Sequence, residues 1–186
     1  MDIFQGLLAL LGTTPFDPLT NPHPYPLIRA GGLFILIMGL GISIGSLREW
    51  LILPMIGVGF GVGFLVLSQV QGPLLREMGT ITNLQSTTLI FGYIFEGVGI
   101  GLWCAALLPR EGPSRRFILG ILVIVGLHFI FFFLSMGWLM ILLTLACTGW
   151  ALYALRRNTI SISRAYLMDG LLKIAAGLAM VIFYPV

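Results

Sequence analysis

Phe117-Ile118-Leu119-Gly120-Ile121-Leu122-Val123-Ile124-Val125-Gly126-Leu127-His128-Phe129-Ile130-Phe131-Phe132-Phe133-Leu134 is one unbroken apolar run that contains a single ionisable side chain. A hydrocarbon core of about 30 Å takes roughly 20 residues of α-helix to cross. Barrel strands would alternate polar and apolar residues over about ten positions. This run does not alternate, and a helix satisfies its own backbone in lipid. It reads as a transmembrane helix.

Five further stretches read the same way: Pro26 to Leu47, Leu51 to Val70, Gln85 to Leu108, Trp138 to Leu155 and Ala165 to Tyr184. Together they nearly fill the 186 residues, with 58% hydrophobic and only 9% charged side chains, against roughly 25% charged in a soluble domain. The mean hydropathy of +1.04 excludes a water-soluble fold. The expected fold is all-α: a polytopic integral membrane protein, one six-helix transmembrane domain over 26–186, preceded by an external or interfacial segment over 1–25.

Arginines set the expected orientation, because Lys and Arg in short loops are retained on the cytoplasmic side. Arg48, Arg110, Arg115, Arg116, Arg156, Arg157 and Arg164 follow the first, third and fifth spans, while Arg29 and Arg76 lie at the opposite ends. Both termini are then non-cytoplasmic. Trp50, Trp103, Trp150, Tyr153 and Tyr166 near the Arg-rich ends, with Tyr25, Trp138 and Tyr184 near the others, form two interfacial belts. The net charge of +3 is a topology signal, and no nucleic-acid motif accompanies it. Arg used far more than Lys, with no basic signal peptide, points to the plasma (inner) membrane of a prokaryotic cell, multi-pass.

Met1 to Gly12 is too short to span and suits an interfacial helix. The prolines from Pro15 to Pro26 then hold an extended stretch, in which His23 reads as a solvated loop residue. Short turns at Arg48-Glu49 and Ser135-Met136-Gly137 alternate with longer loops over Gln71 to Leu84 and Arg156 to Arg164. With three helices in each half, related halves would have to be inverted in the membrane. No residue-level similarity between them supports that.

Glycine, at 24 residues, concentrates inside the helices. The pairs Gly41/Gly45, Gly57/Gly61, Gly59/Gly63 and Gly97/Gly101 make small faces that let backbones approach closely, so the first three helices are expected to form a tight core. The Phe129 to Phe133 run reads as a bulky face turned toward lipid or an apolar partner.

Ionisable groups inside a membrane need a partner or a purpose. Glu96 and His128 lie about 12 and 11 residues from the Arg-rich ends of their helices, roughly 17 Å deep by helical rise. They share a level and belong to consecutive helices, so an ion pair or hydrogen bond that holds one proton is expected between them. The bland reading satisfies Glu96 through Tyr93 or a backbone carbonyl. Asp169 and Lys173, four residues apart, read as an internal pair near the cytoplasmic interface, with Lys173 snorkelling outward along its stem. In the functional version Lys173 turns inward to an anionic ligand or to Glu96.

Catalytic signatures are lacking. Cys104 and Cys147 have no CxxC spacing, no serine elbow or phosphate-binding Gly-rich loop is present, and two separated histidines do not make a zinc site. The chain therefore reads as neither an enzyme nor a metal or cofactor protein. Two functions remain. One is a small transporter or proton-linked permease for a small solute, with Glu96, His128, Lys173, Asp169 and Tyr93 as its site. The other is a non-catalytic subunit of a larger membrane complex. Its partners would be the lipid bilayer and a second copy or a complex subunit.

Overall fold

A computed structural model describes residues 24–111 and 114–183. The Met1 to Gly12 helix, His23, most of the proline-rich stretch and Tyr184 lie outside the described residues. Six helices are long and apolar enough to cross a membrane, and no strand occurs among the described residues. They are α1 (Ile28–Gly45), α2 (Ile52–Met78), α3 (Asn83–Glu111), α4 (Arg115–Met136), α5 (Leu139–Arg156) and α6 (Ile162–Ile182).

Several boundaries have local causes. The Ser114 and Ser161 hydroxyls cap α4 and α6 by accepting from the backbone N–H three residues on. Thr82 and Gln85 form a reciprocal capping box before α3, with bonds of 3.3 Å and 3.0 Å. The Gln85 amide also donates to the carbonyls of Pro24 and Leu134, tying three helix ends together. Gly137, with φ at 87°, supplies the left-handed turn between α4 and α5. The Arg115 guanidinium donates to the carbonyls of Ala154, Leu155, Arg157 and Ile160, where the negative end of α5 favours a cation.

Two expected boundaries change. Gln71 to Met78 is not loop: α2 runs through it, Pro73 included, and only the residues after Gly79 link it to α3. A proline inside a membrane helix is tolerated when neighbouring groups take over the freed carbonyl. In α4 the hydrogen bonding tightens to a 3-10 turn over Phe129–Phe132 before a last α-turn. Three residues per turn put Phe129 and Phe132 on one side, and both are buried. The Phe run is thus an inward wedge, and Ile130 alone among Phe129 to Phe132 is exposed. That corrects the lipid-facing reading.

The helices pack in the order α2, α1, α6, α5, α4, α3. Between the two ends of this arc, α2 and α3 form no packed interface. The tight core is therefore α1 with α6 and α2, not the first three helices. Backbone contact explains its closeness: a Cβ added to Gly177 would meet the Gly32 carbonyl oxygen at 2.6 Å, and one added to Gly39 would meet that of Gly170 at 2.7 Å. Neither neighbour can yield without moving a helix. Gly177→Ala should therefore lower stability by about 1–3 kcal/mol, the usual cost of overpacking, while Gly61→Ala, with nothing within 4 Å of the new methyl, should lower it by little or nothing. Thermal unfolding of both variants in the same detergent checks the contrast.

Glycine pairing divides along the same line. Gly41 and Gly45 pack on α2, while Gly59 and Gly63 lie against α1 and Gly92 and Gly99 against α4. A Cβ at Gly57, Gly61, Gly97 or Gly101 would meet nothing within 4 Å. Those two pairs were expected to be packed, and they are open.

Candidate functional site

One cavity of about 520 Å³ is lined by residues of α1, α2, α3, α4 and α6, and α5 contributes none of them. Both α2 and α3 line it without packing on each other, so the arc of helices is unclosed on that side. Its wall is mainly hydrocarbon and aromatic, with Phe34, Phe60 and Phe64 clustered at centroid separations of 5.0–5.4 Å. Such a size and lining are typical of a pocket for a small organic molecule.

All five residues expected at the site line this cavity: Tyr93, Glu96, His128, Asp169 and Lys173. The His128 Nε2 and Glu96 Oε2 are 3.7 Å apart, with the imidazole 7% and the carboxyl 21% exposed. The facing of α3 and α4 follows from their packing. Gly99 lies against Ile124 and Gly92 against Phe131 and Phe132, which rolls the Glu96 side of α3 toward His128. Tyr93, one turn before Glu96, packs its ring on Phe132 at 5.3 Å.

The His128 ring is fixed by its other nitrogen. Nδ1 lies 2.5 Å from the Val125 carbonyl oxygen, and a carbonyl only accepts, so Nδ1 carries the hydrogen. In a neutral imidazole Nε2 is then a bare acceptor that faces a carboxylate oxygen. Two acceptors face each other favourably only if one proton is shared, as Glu96 carboxylic acid or as His128 imidazolium. Either arrangement leaves one proton on the pair, whose facing atoms at 3.7 Å lie just beyond hydrogen-bond distance.

Lys173 and Asp169 make a direct ion pair four residues apart on α6, with side chains only 2% and 1% exposed. Lys173 does not snorkel. Its ammonium lies 5.4 Å from the centre of the Phe129 ring, inside the bundle, on the helix that Gly170 and Gly177 press against α1. Asp169 is buried beside it. Its Oδ1 has no nitrogen or oxygen donor among the described residues, although the Cys147 thiol, a weak donor, lies beside it. Both pairs line the same cavity.

Three contributors were not recognised in the sequence. Tyr166, expected in an interfacial belt, is 1% exposed, donates to the Ile118 carbonyl and lines the cavity. Gln71 lines it from the segment read as loop. Gln85 braces one end, and the spacing Thr82-x-x-Gln85 before an apolar run was the signal that could have found it. Among the described residues, no three His, Cys, Asp or Glu side chains gather as metal ligands.

Residues 20–185 match the model of a protein family described as a family of unknown function (DUF6609), and the chain belongs to it. No curated protein and no solved structure matches the chain.

Proposed function

We propose that this member of the family is a small multi-pass membrane transporter that binds its solute in the cavity between α2 and α3 and couples its passage to the proton shared by Glu96 and His128. One observation supports the reading: a mainly apolar cavity, bordered by α2 and α3 where those helices do not pack on each other, is lined by a carboxyl and an imidazole whose facing atoms are 3.7 Å apart. Packing alone does not need such a pair, since ionisable groups within a bilayer are costly and usually serve transport or proton relay. The Lys173–Asp169 pair sets the field around it. The cell membrane reading, prokaryotic and with both termini outside the cytoplasm, rests on the distribution of arginines. The protein would act as a carrier and not as an enzyme.

The test is uptake into proteoliposomes across an imposed pH gradient, over a panel of amphipathic solutes of either charge or none. At least one solute should accumulate in proportion to the gradient, and Glu96→Gln should reduce that accumulation at least tenfold while the protein remains monodisperse. A wild-type protein that moves none of them, with or without a gradient, would sink the reading. The accessory-subunit reading is favoured by one specific feature, the unpartnered glycine flanks of α2 and α3, which could seat a helix from another protein. It predicts a stoichiometric partner on gentle extraction.

A further inference from the structure

The cavity's charges can be summed group by group. From α6 come the phenol of Tyr166, and Lys173 and Asp169, which cancel as an ion pair. His128 comes from α4 and Glu96 from α3, with Tyr93 beside it. With its shared proton the cluster is neutral; without it, the cluster is one unit negative and leaves the Glu96 carboxylate facing the His128 Nε2 lone pair across 3.7 Å. Whatever then fills the cavity must supply the missing positive charge. Lys173 is the sole Lys or Arg among the described lining residues, and it already belongs to Asp169. An anionic guest would have to pull it away and strand a buried carboxylate. A cation finds the opposite situation, because Glu96 is the more exposed member of its pair and the surrounding rings of Phe34, Phe60, Phe64, Tyr93 and Phe132 offer negative π-faces to a desolvated positive charge.

We infer that the solute is a lipophilic organic cation that takes the proton's place at Glu96, so that cation and proton bind in mutual exclusion. This rests on the transport reading and adds the sign of the charge and the stoichiometry. Binding breaks no covalent bond in the solute: the proton leaves the Glu96–His128 pair for water, and the cation neutralises the carboxylate left behind. By linkage, acid weakens the cation's binding. In the pH range where the pair is protonated, the dissociation constant should rise about tenfold for each unit of falling pH, and above that range it should level off.

Tetraphenylphosphonium and tetraphenylborate, alike in shape and opposite in charge, make the decisive comparison by calorimetry on the detergent-solubilised full chain, with empty micelles subtracted. The cation should bind and the anion should not. In weak buffer with a pH dye, close to one proton should appear per cation bound on the protonated side of the profile. Glu96→Gln should lose both binding and release, and Glu96→Asp should restore part of each. Binding of the borate in place of the phosphonium, equal binding of both, phosphonium binding that survives Glu96→Gln, or the binding of neither ion would each overturn the assignment. Because these outcomes are read from binding, the transport reading stands or falls separately on the uptake panel.

Discussion

Lys173→Met should destabilise the protein by about 3–5 kcal/mol, the magnitude seen when one partner of a buried ion pair is removed and the other is left charged. The side chains of Lys173 and Asp169 are 2% and 1% exposed, so water cannot take over solvation of the orphaned carboxylate. Asp169→Asn combined with Lys173→Met should recover most of the loss, since two neutral side chains of similar volume carry no charge to desolvate. Unfolding in mixed micelles, titrated with a denaturing detergent, gives the three values on one scale. A single variant that loses less than about 1 kcal/mol would put the pair in contact with water and out of the bundle core.

The second large effect concerns the gap. On α2, Leu53, Ile56, Phe60, Phe64 and Leu67 line the cavity. At about 100° per residue, Gly59 and Gly63 fall on the flank that meets α1, and Gly57 and Gly61 on the opposite one. On α3, Gly92 and Gly99 meet α4, and Gly97 and Gly101 lie on the other flank. The two unpartnered pairs therefore border the same gap from either side. Counting helical rise from Leu51 and Leu108, the Arg-rich ends of the two apolar stretches, puts Gly61 and Gly97 at about 15 and 17 Å, and Gly57 and Gly101 at about 9 and 11 Å. Small faces matched in height allow two helices to close without a side chain between them. Gly61→Cys combined with Gly97→Cys should crosslink under oxidation and cut solute uptake to a few per cent, with recovery on reduction. Uptake undiminished by a complete crosslink would remove the sideways path. A crosslink between two chains in place of one within a chain would make this face an interface between copies.

The six spans were legible in the sequence because length and apolarity alone decide what crosses a bilayer. Glu96 and His128 were legible for a related reason: two ionisable groups at one depth on consecutive helices have few partners other than each other. What the sequence left open was rotation. Gly59/Gly63 and Gly57/Gly61 are identical patterns offset by two residues, and which flank finds a neighbour depends on how α2 rolls against α1. Lys173 was misplaced likewise, since its distance from the helix end permits snorkelling, whereas its ammonium is buried against Asp169 and the Phe129 ring. The Phe run misled because an α-helical period spreads its four rings around the axis, whereas the tighter turn over Phe129–Phe132 gathers two of them inward.

A wall built as an arc with a missing side imposes no upper limit on girth. A closed ring of helices would have to breathe to admit a wider guest, straining contacts on every side; in the proposed carrier a bulkier molecule would displace only lipid tails from the seam between α2 and α3. Bulk would therefore be a poor basis for choosing among guests, and discrimination would fall to the quartet of Glu96, His128, Asp169 and Lys173. A carrier of this design would be permissive toward shape and strict toward charge.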